Sequence, residues 1–387
     1  MDDRPVRIGV VGSGGYALHM IKYFCQLPKF AQLAGVVSPD PGGEGENYCK
    51  AQGIPVYPNV DALLNAGGFE IVYNPTPIHL HGVIARKSLA AGYSVWMEKP
   101  PLATIQELDA LNAYAKELNL PVVICFNSLF SRLTRFLKET LVSGRLGKVK
   151  RVKGMGAWIR DTGYFTRNDW AGKLQVGGEW ILDGDLNNPF AHVLCNNLYF
   201  ASPDFASLAE PETVQAELYR SHNIESEDTS CIRILTTDGV EIINWLTLTP
   251  SVETPPRTEI ETEHAHIVYD AFKRLTILHK DGSEEVQTSE KEDRVQMIEY
   301  LCRAHREKKP YISSLEMVRP FTVAVNAAFD SAGEVRAVPT EHIECCGENG
   351  TRRVLCNIDS IMREAFEKNL LYSELGVPWA HKTEVIQ

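Results

Sequence analysis

From Val6 to about Asn127, short β-branched and apolar runs alternate with longer stretches whose apolar residues recur at helical spacing. Val6 to Val11, Leu33 to Val37, Ile71 to Asn74, Tyr93 to Met97 and Val122 to Phe126 predict buried strands. Ala17 to Leu27, Ile78 to Ala91 and Thr104 to Leu118 predict helices between them. Parallel neighbours need a crossover connection, so this alternation specifies a doubly wound parallel sheet. Residues 1–127 are expected to form a Rossmann-type α/β domain.

The pattern changes after Phe126. A helix is expected from Leu129 to Ser143, ended by Gly144, and strands of period-2 alternation follow at Val149 to Trp158, Thr213 to Tyr219, Thr229 to Thr236 and Val240 to Thr247. Asp238-Gly239 and Asp281-Gly282 are hairpin signals, the second after a strand from Arg274 to His279. Pro250 to Pro256 is expected to be a loop, and Glu290 to Arg306, Met317 to Ala332 and Asp359 to Lys368 to be helical. Residues 128–387 thus predict an α+β domain with a mostly antiparallel, open-faced sheet. A face left bare of helices is usually buried against another subunit, so a homodimer or homotetramer is expected.

Composition narrows the function. At 387 residues, 44% hydrophobic and 23% charged, the chain has the make-up of a soluble two-domain protein. Its net charge of -11 argues against nucleic acid or an anionic membrane as partner and favours a small molecule. The polar N-terminus reads as neither signal peptide nor membrane span, and nine scattered cysteines without a CxxC pair indicate a reduced, cytoplasmic compartment.

Gly12-Ser13-Gly14-Gly15-Tyr16-Ala17 follows the first strand and opens the first helix in the G-x-G-x-x-A pattern. Gly12 permits the tight turn, Gly14 lets a pyrophosphate approach the backbone, and Ala17 allows close helix packing. The acid expected to hold the adenosine ribose is replaced by Ser38, with Asp40 two residues on and no arginine following, so NAD and NADP both remain open. Asn74-Pro75-Thr76-Pro77 reads as a turn lining the cofactor cleft, with His81 after it. Neither His79 with His81 nor His264 with His266, the latter expected on one strand face, predicts a metal site. Glu98-Lys99-Pro100 sits just past the predicted strand Tyr93 to Met97, where a side chain points into the ligand crevice of an open α/β sheet.

Taken together, the glycine turn, Asn74-Pro75-Thr76-Pro77 with His81, and Glu98-Lys99-Pro100 closely resemble the Gfo/Idh/MocA oxidoreductase family. Arg145-Leu146-Gly147-Lys148-Val149 and Gly177-Gly178-Glu179-Trp180-Ile181-Leu182-Asp183 extend the resemblance into the second half, so about 200 residues carry it. The resemblance implies a hydride transfer between nicotinamide and a carbinol carbon of a sugar, polyol or derivative. Lys99 would shuttle the hydroxyl proton, with its pKa drawn toward neutrality by desolvation and the nearby cationic ring. Glu98 would orient the loop. The family's second motif places a histidine four residues after an aspartate; here Asp183 is matched, but Asn187 stands at the histidine position. Asn187 and Asn188 are candidates for binding substrate hydroxyls, and His192, spaced i and i+4 from Asn188 on a helix, is a further catalytic candidate.

Between these motifs, Arg160, Tyr164, Arg167, Trp170 and Lys173 gather aromatic and cationic groups in one loop, the mixture that sugar sites use for stacking and for carboxylate or hydroxyl recognition. Two other readings stay open. Asn187 in place of histidine is compatible with a non-catalytic dinucleotide-binding sensor, and relatives of the fold include enzymes that cleave glycosides while retaining NAD.

Overall fold

A computed structural model describes residues 4–387, apart from the side chain of Asn349. Strand β1 (Val6–Val11) leads into α1 (Gly15–Gln26), followed by β2 (Ala31–Val37), α2 (Glu44–Ala51), β3 (Val56–Tyr57), α3 (Val60–Ala66) and β4 (Ile71–Asn74). Then come α4 (Ile78–Ala90), β5 (Ser94–Glu98), α5 (Ile105–Glu117) and β6 (Val122–Cys125). The six strands pair in parallel in the order β3-β2-β1-β4-β5-β6. Chain order reverses between β1 and β4, and in such sheets the ligand crevice opens outside the carboxyl ends of the strands at that point. Ile8, Val10, Ile71, Val72, Val95, Trp96 and Met97 are all buried, as a sheet covered on both faces requires.

A 3-10 turn at Asn127–Phe130 precedes α6 (Arg132–Val142), β7 (Val149–Ala157), α7 (Thr162–Thr166), β8 (Gln175–Val176), β9 (Glu179–Trp180) and α8 (Ala191–Ala201). Next are β10 (Pro211–Arg220), β11 (Thr229–Thr236), β12 (Glu241–Thr247), β13 (Thr254–Thr262), β14 (Ala265–Asp270), β15 (Arg274–His279) and β16 (Glu284–Thr288). The chain closes with α9 (Asp293–Glu307), α10 (Leu315–Ala332), β17 (Arg336–Ala337), β18 (Ile343–Cys346), β19 (Arg352–Leu355) and α11 (Ile358–Lys368). A nine-stranded sheet runs β16-β15-β14-β13-β7-β12-β11-β10-β17, antiparallel except at β7–β12 and β10–β17.

Helix α8 packs on one face of β7, β12 and β13. On the opposite face, Tyr219, Cys231, Ile243 and Trp245 pack against Met362, Phe366, Tyr372 and Trp379 from α11 and the chain beyond it. The chain therefore covers part of its own open face. The remainder, over β13 to β16, carries ion pairs: Arg257 reaches Glu259 at 2.7 Å and Asp270 at 3.0 Å, and Lys153 reaches Glu259 at 3.6 Å.

Contacts divide the chain into two units, Met1–Ser131 with Lys291–Val318, and Arg132–Glu290 with Arg319–Gln387. The expected boundary at 127/128 is thus corrected for one segment, because α9 returns to the first unit. Its buried Met297, Ile298, Leu301 and Cys302 give it an apolar face that packs on α1, β1 and the 3-10 turn, and Arg306 pairs with Glu70 at 2.6 Å.

Other expectations also change. The helix expected from Leu129 is split because Ser131 is extended, with ψ at 145°. Pro255 and Pro256 lie inside β13 rather than in a loop. They sit at the register shift between Thr254 and Arg257, where the ladder needs no N–H from them. His264 occupies the turn before β14, so it shares no strand face with His266. Asn188 precedes α8 in a run of turns, so it forms no helical pair with His192. Helices α2 and α3 and the short β3 were not expected from the pattern; α2 is polar along most of its length and buries only Gly45 and Cys49.

Candidate functional site

In the first unit, Gly12 adopts φ +117° at the end of β1 and its N–H donates to Val37 O of β2 at 3.1 Å. Gly14 caps α1, which has no side-chain cap and no acidic residue in its first turn. A Cβ added at Gly14 would meet nothing within 4 Å, so the first turn of α1 opens onto free space. Uncapped helix N–H groups beside open space fit an anionic pyrophosphate. Gly45 of α2 approaches from behind, and a Cβ there would stand 1.7 Å from Ser13 O. Nothing in the local pattern marked that glycine. The Ser13 and Ser38 hydroxyls are 2.8 Å apart and both side chains are buried, whereas Asp40 is exposed. Ala17 is buried under the turn, and Tyr16 is 38% exposed with its hydroxyl accepting from Arg294.

At the carboxyl ends of β4 and β5, two loops are tied together. Asn74 Oδ1 accepts from Thr76 Oγ1 at 2.7 Å, while its amide donates to His81 O at 3.3 Å. The buried His81 ring places Nε2 2.8 Å from Thr76 O and Nδ1 3.0 Å from both Pro100 O and Pro101 O. Burial lowers the His81 pKa despite those acceptors. Tyr73 donates its hydroxyl to Glu98 Oε1 at 2.6 Å, and Lys99 N donates to Glu98 Oε2 at 3.3 Å. Burial pushes the Glu98 carboxyl up to about 7, with Tyr73 and Lys99 opposing it. Lys99 itself is half-buried and joined to Pro100 by a cis peptide.

The second unit holds the remaining candidates. Asp183 is buried, its Oδ2 accepting from Gly172 N at 2.8 Å and its Oδ1 from Asn188 Nδ2 at 2.6 Å. Leu182 before it has φ +49°, a left-handed conformation uncommon for a branched residue. Behind it the Glu227 carboxyl seats on Gly184, where a Cβ would stand 1.9 Å away, and Glu227 Oε1 accepts from Leu186 N at 3.2 Å. Burial pushes the Glu227 and Asp185 carboxyls upward, and each also feels neighbouring carboxylates. Asn187 turns its amide nitrogen to Ile181 O and Leu182 O, so this donor serves the backbone.

Five residues between Trp158 and Trp170 come together as a stack. The Arg160 guanidinium lies 5.0 Å from the Tyr164 ring centroid and 5.4 Å from Trp158, and Arg167 lies 3.7 Å from Tyr164 and 5.2 Å from Trp170. Burial raises the Tyr164 hydroxyl pKa and the Asp183 charge raises it further, which puts Tyr164 in the field of Asp183. Arg160 Nε is buried with no hydrogen-bond partner among the described residues. Lys173 stands apart from the stack in an ion pair with Glu225 at 2.7 Å. His192 lies on α8 with its ring 6.4 Å from Phe272. Glu227 was not singled out from the sequence, because its partner Gly184 is distant along the chain. Among the described residues no cluster of three or more His, Cys, Asp or Glu side chains is placed to hold a metal ion.

The doubly wound sheet and its uncapped glycine turn define a dinucleotide-binding Rossmann protein. Residues 6–126 match the oxidoreductase family profile GFO_IDH_MocA, described as an NAD-binding Rossmann fold. Over that span the chain is similar to the Gfo/Idh/MocA oxidoreductases. It is 29% identical over 150 residues to 1-carboxy-3-chloro-3,4-dihydroxycyclohexa-1,5-diene dehydrogenase of Comamonas testosteroni, covering 39% of this chain and 38% of that one. It is likewise 29% identical over 150 residues to dTDP-3,4-didehydro-2,6-dideoxy-alpha-D-glucose 3-reductase of Streptomyces violaceoruber, covering 38% and 43%. The match thus spans less than half the length of either relative. The fold extends further: the WlbA dehydrogenase of Bordetella pertussis superposes with a TM-score of 0.72 at 18% identity, over 85% of this chain and 97% of that one.

Proposed function

We propose that the protein is an NAD(H)-dependent oxidoreductase acting on a CH–OH carbon of a carbohydrate that carries a carboxylate or phosphate. The observation that carries this reading is Lys99 at the carboxyl end of β5, its backbone bonded to the buried Glu98 and its loop clasped by His81. Bound nicotinamide would take up or deliver the hydride. Lys99 takes the hydroxyl proton on oxidation and returns it on reduction. Asp183, held by Gly172 and Asn188, accepts from substrate hydroxyls in this reading, and the guanidinium-flanked Tyr164 favours a sugar ring with an anionic substituent. The exposed Asp40 beyond Ser38 repels a 2'-phosphate, which favours NAD over NADP. The reading is also supported by the relatives: the Streptomyces protein is named a reductase of a dTDP-sugar, and the Bordetella structure holds NADH and UDP-GlcNAcA.

The test is turnover of NAD or NADP with a panel of neutral sugars, uronic acids, sugar phosphates and nucleotide sugars. Lys99→Met should abolish turnover while NADH binding, read by fluorescence, stays within a few-fold. Turnover that survives the substitution removes Lys99 from the chemistry.

A further inference from the structure

Helix α9 brings a cation to the dinucleotide turn from far along the chain. Arg294 Nε donates to the Tyr16 hydroxyl at 3.2 Å across 278 residues of sequence, and the guanidinium carbon stands 5.7 Å from the Tyr16 ring centroid. Arg294 Nη1 is bound to Glu292 at 2.5 Å, and Nη2 has no hydrogen-bond partner among the described residues. Tyr16 directly follows Gly15 in the first turn of α1. The Arg294 charge is felt at His19 of α1, where it disfavours protonation, and at Glu98, where it favours ionisation. The guanidinium thus lies within electrostatic reach of both walls of the crevice, the glycine turn and the carboxyl end of β5.

That position has a chemical meaning. A dinucleotide brings two negative charges on its pyrophosphate to a chain whose own net charge is -11. The first turn of α1 offers backbone N–H groups and no cationic side chain of its own, only Gly15, Tyr16, Ala17 and Leu18. A guanidinium held through Nε, with one Nη edge to spare, matches a phosphate oxygen in geometry as well as charge.

We propose that Arg294 is a cofactor-binding residue that closes over the pyrophosphate, Nη2 donating to a phosphate oxygen while Nε stays on Tyr16. This rests on the dinucleotide reading above and adds to the turn a residue outside the glycine motif. A purely structural Arg294, pinning α9 to α1, would alter stability without altering affinity.

The two roles separate in titrations of NADH and ADP-ribose against the wild-type protein, Arg294→Leu and Arg294→Lys at low and high salt, with melting curves for each. Arg294→Leu should weaken both ligands about 10- to 100-fold, flatten the salt dependence and leave the melting temperature nearly unchanged. Arg294→Lys, which keeps the charge and loses the fork, should recover part of the affinity. Wild-type affinity in Arg294→Leu overturns the inference alone, as does a loss confined to NADH, because ADP-ribose carries the same pyrophosphate. A wild-type protein that binds neither ligand overturns the dinucleotide reading and this inference with it.

Discussion

His81 Nε2 stands 2.8 Å from the carbonyl oxygen of Thr76, and the other nitrogen of the same ring faces Pro100 O and Pro101 O at 3.0 Å. One imidazole therefore bridges the loop after β4 and the loop after β5. With carbonyl acceptors at both nitrogens the buried ring works as a clasp, donating to one loop through a single N–H when neutral and to both when protonated, and burial lowers its pKa against the pull of those carbonyls. Replacing His81 by alanine strips buried carbonyls of their partner, at about 2–4 kcal/mol of stability. Because the clasp holds the Lys99 loop, kcat should fall more than NADH affinity. Denaturant unfolding and steady-state kinetics on His81→Ala check both, and unchanged stability would show that the clasp does not hold the loops.

Glu98 makes stability depend on pH. Its carboxyl is raised from the ordinary 4.5 to about 7, so the folded protein binds this proton more tightly than the unfolded chain does. Its contribution is full below about pH 4.5 and is lost as pH rises through about 7, a swing of roughly 3 kcal/mol. Unfolding of the cofactor-free protein should require less denaturant at pH 8 than at pH 5 on this account. Glu98→Gln, which keeps the Tyr73 contact and cannot ionise, should flatten the slope. An equal slope in the variant assigns the pH dependence to other groups.

Gly45→Ala probes the back of the glycine turn. The added methyl would lie 1.7 Å from Ser13 O, a backbone atom that cannot move without moving the turn itself. A loss of about 2–4 kcal/mol and a sharp drop in NADH affinity are expected together. Thermal melting and fluorescence titration measure them, and a variant that binds NADH normally would show that α2 and the turn can part without cost to the site.

Much of the first unit was legible because its strands are buried on both faces and read as unbroken apolar runs, such as Ile71 to Asn74. The start of α5 follows its capping residue, with Thr104 accepting from Glu107 N. Helix α2 escaped because its packing rests on the absence of a side chain at Gly45, which has no apolar signature. Pro255 and Pro256 argued for a loop, and only the register shift opposite β7 explains how a strand accommodates them. The site divides in the same way. Lys99 and Asp183 stand out in the sequence by residue type and motif, and their roles are proposals. The groups that hold the site in shape, Tyr73 for Glu98, Glu227 for the Gly184 turn and Arg294 for Tyr16, do not, because each lies tens to hundreds of residues from its partner.

The uncovered half of the nine-stranded sheet has a consequence for self-association. Its outward residues are cross-linked by Arg257, Glu259, Asp270 and Lys153, and its exposed apolar side chains, Leu278 and Val286, are few. Two such faces pressed together dry would strip solvent from ion pairs that are already satisfied, at a cost their mutual attraction does not recover. An assembly built on this face would have to keep its water and interlock its charges, and it would loosen as ionic strength rises.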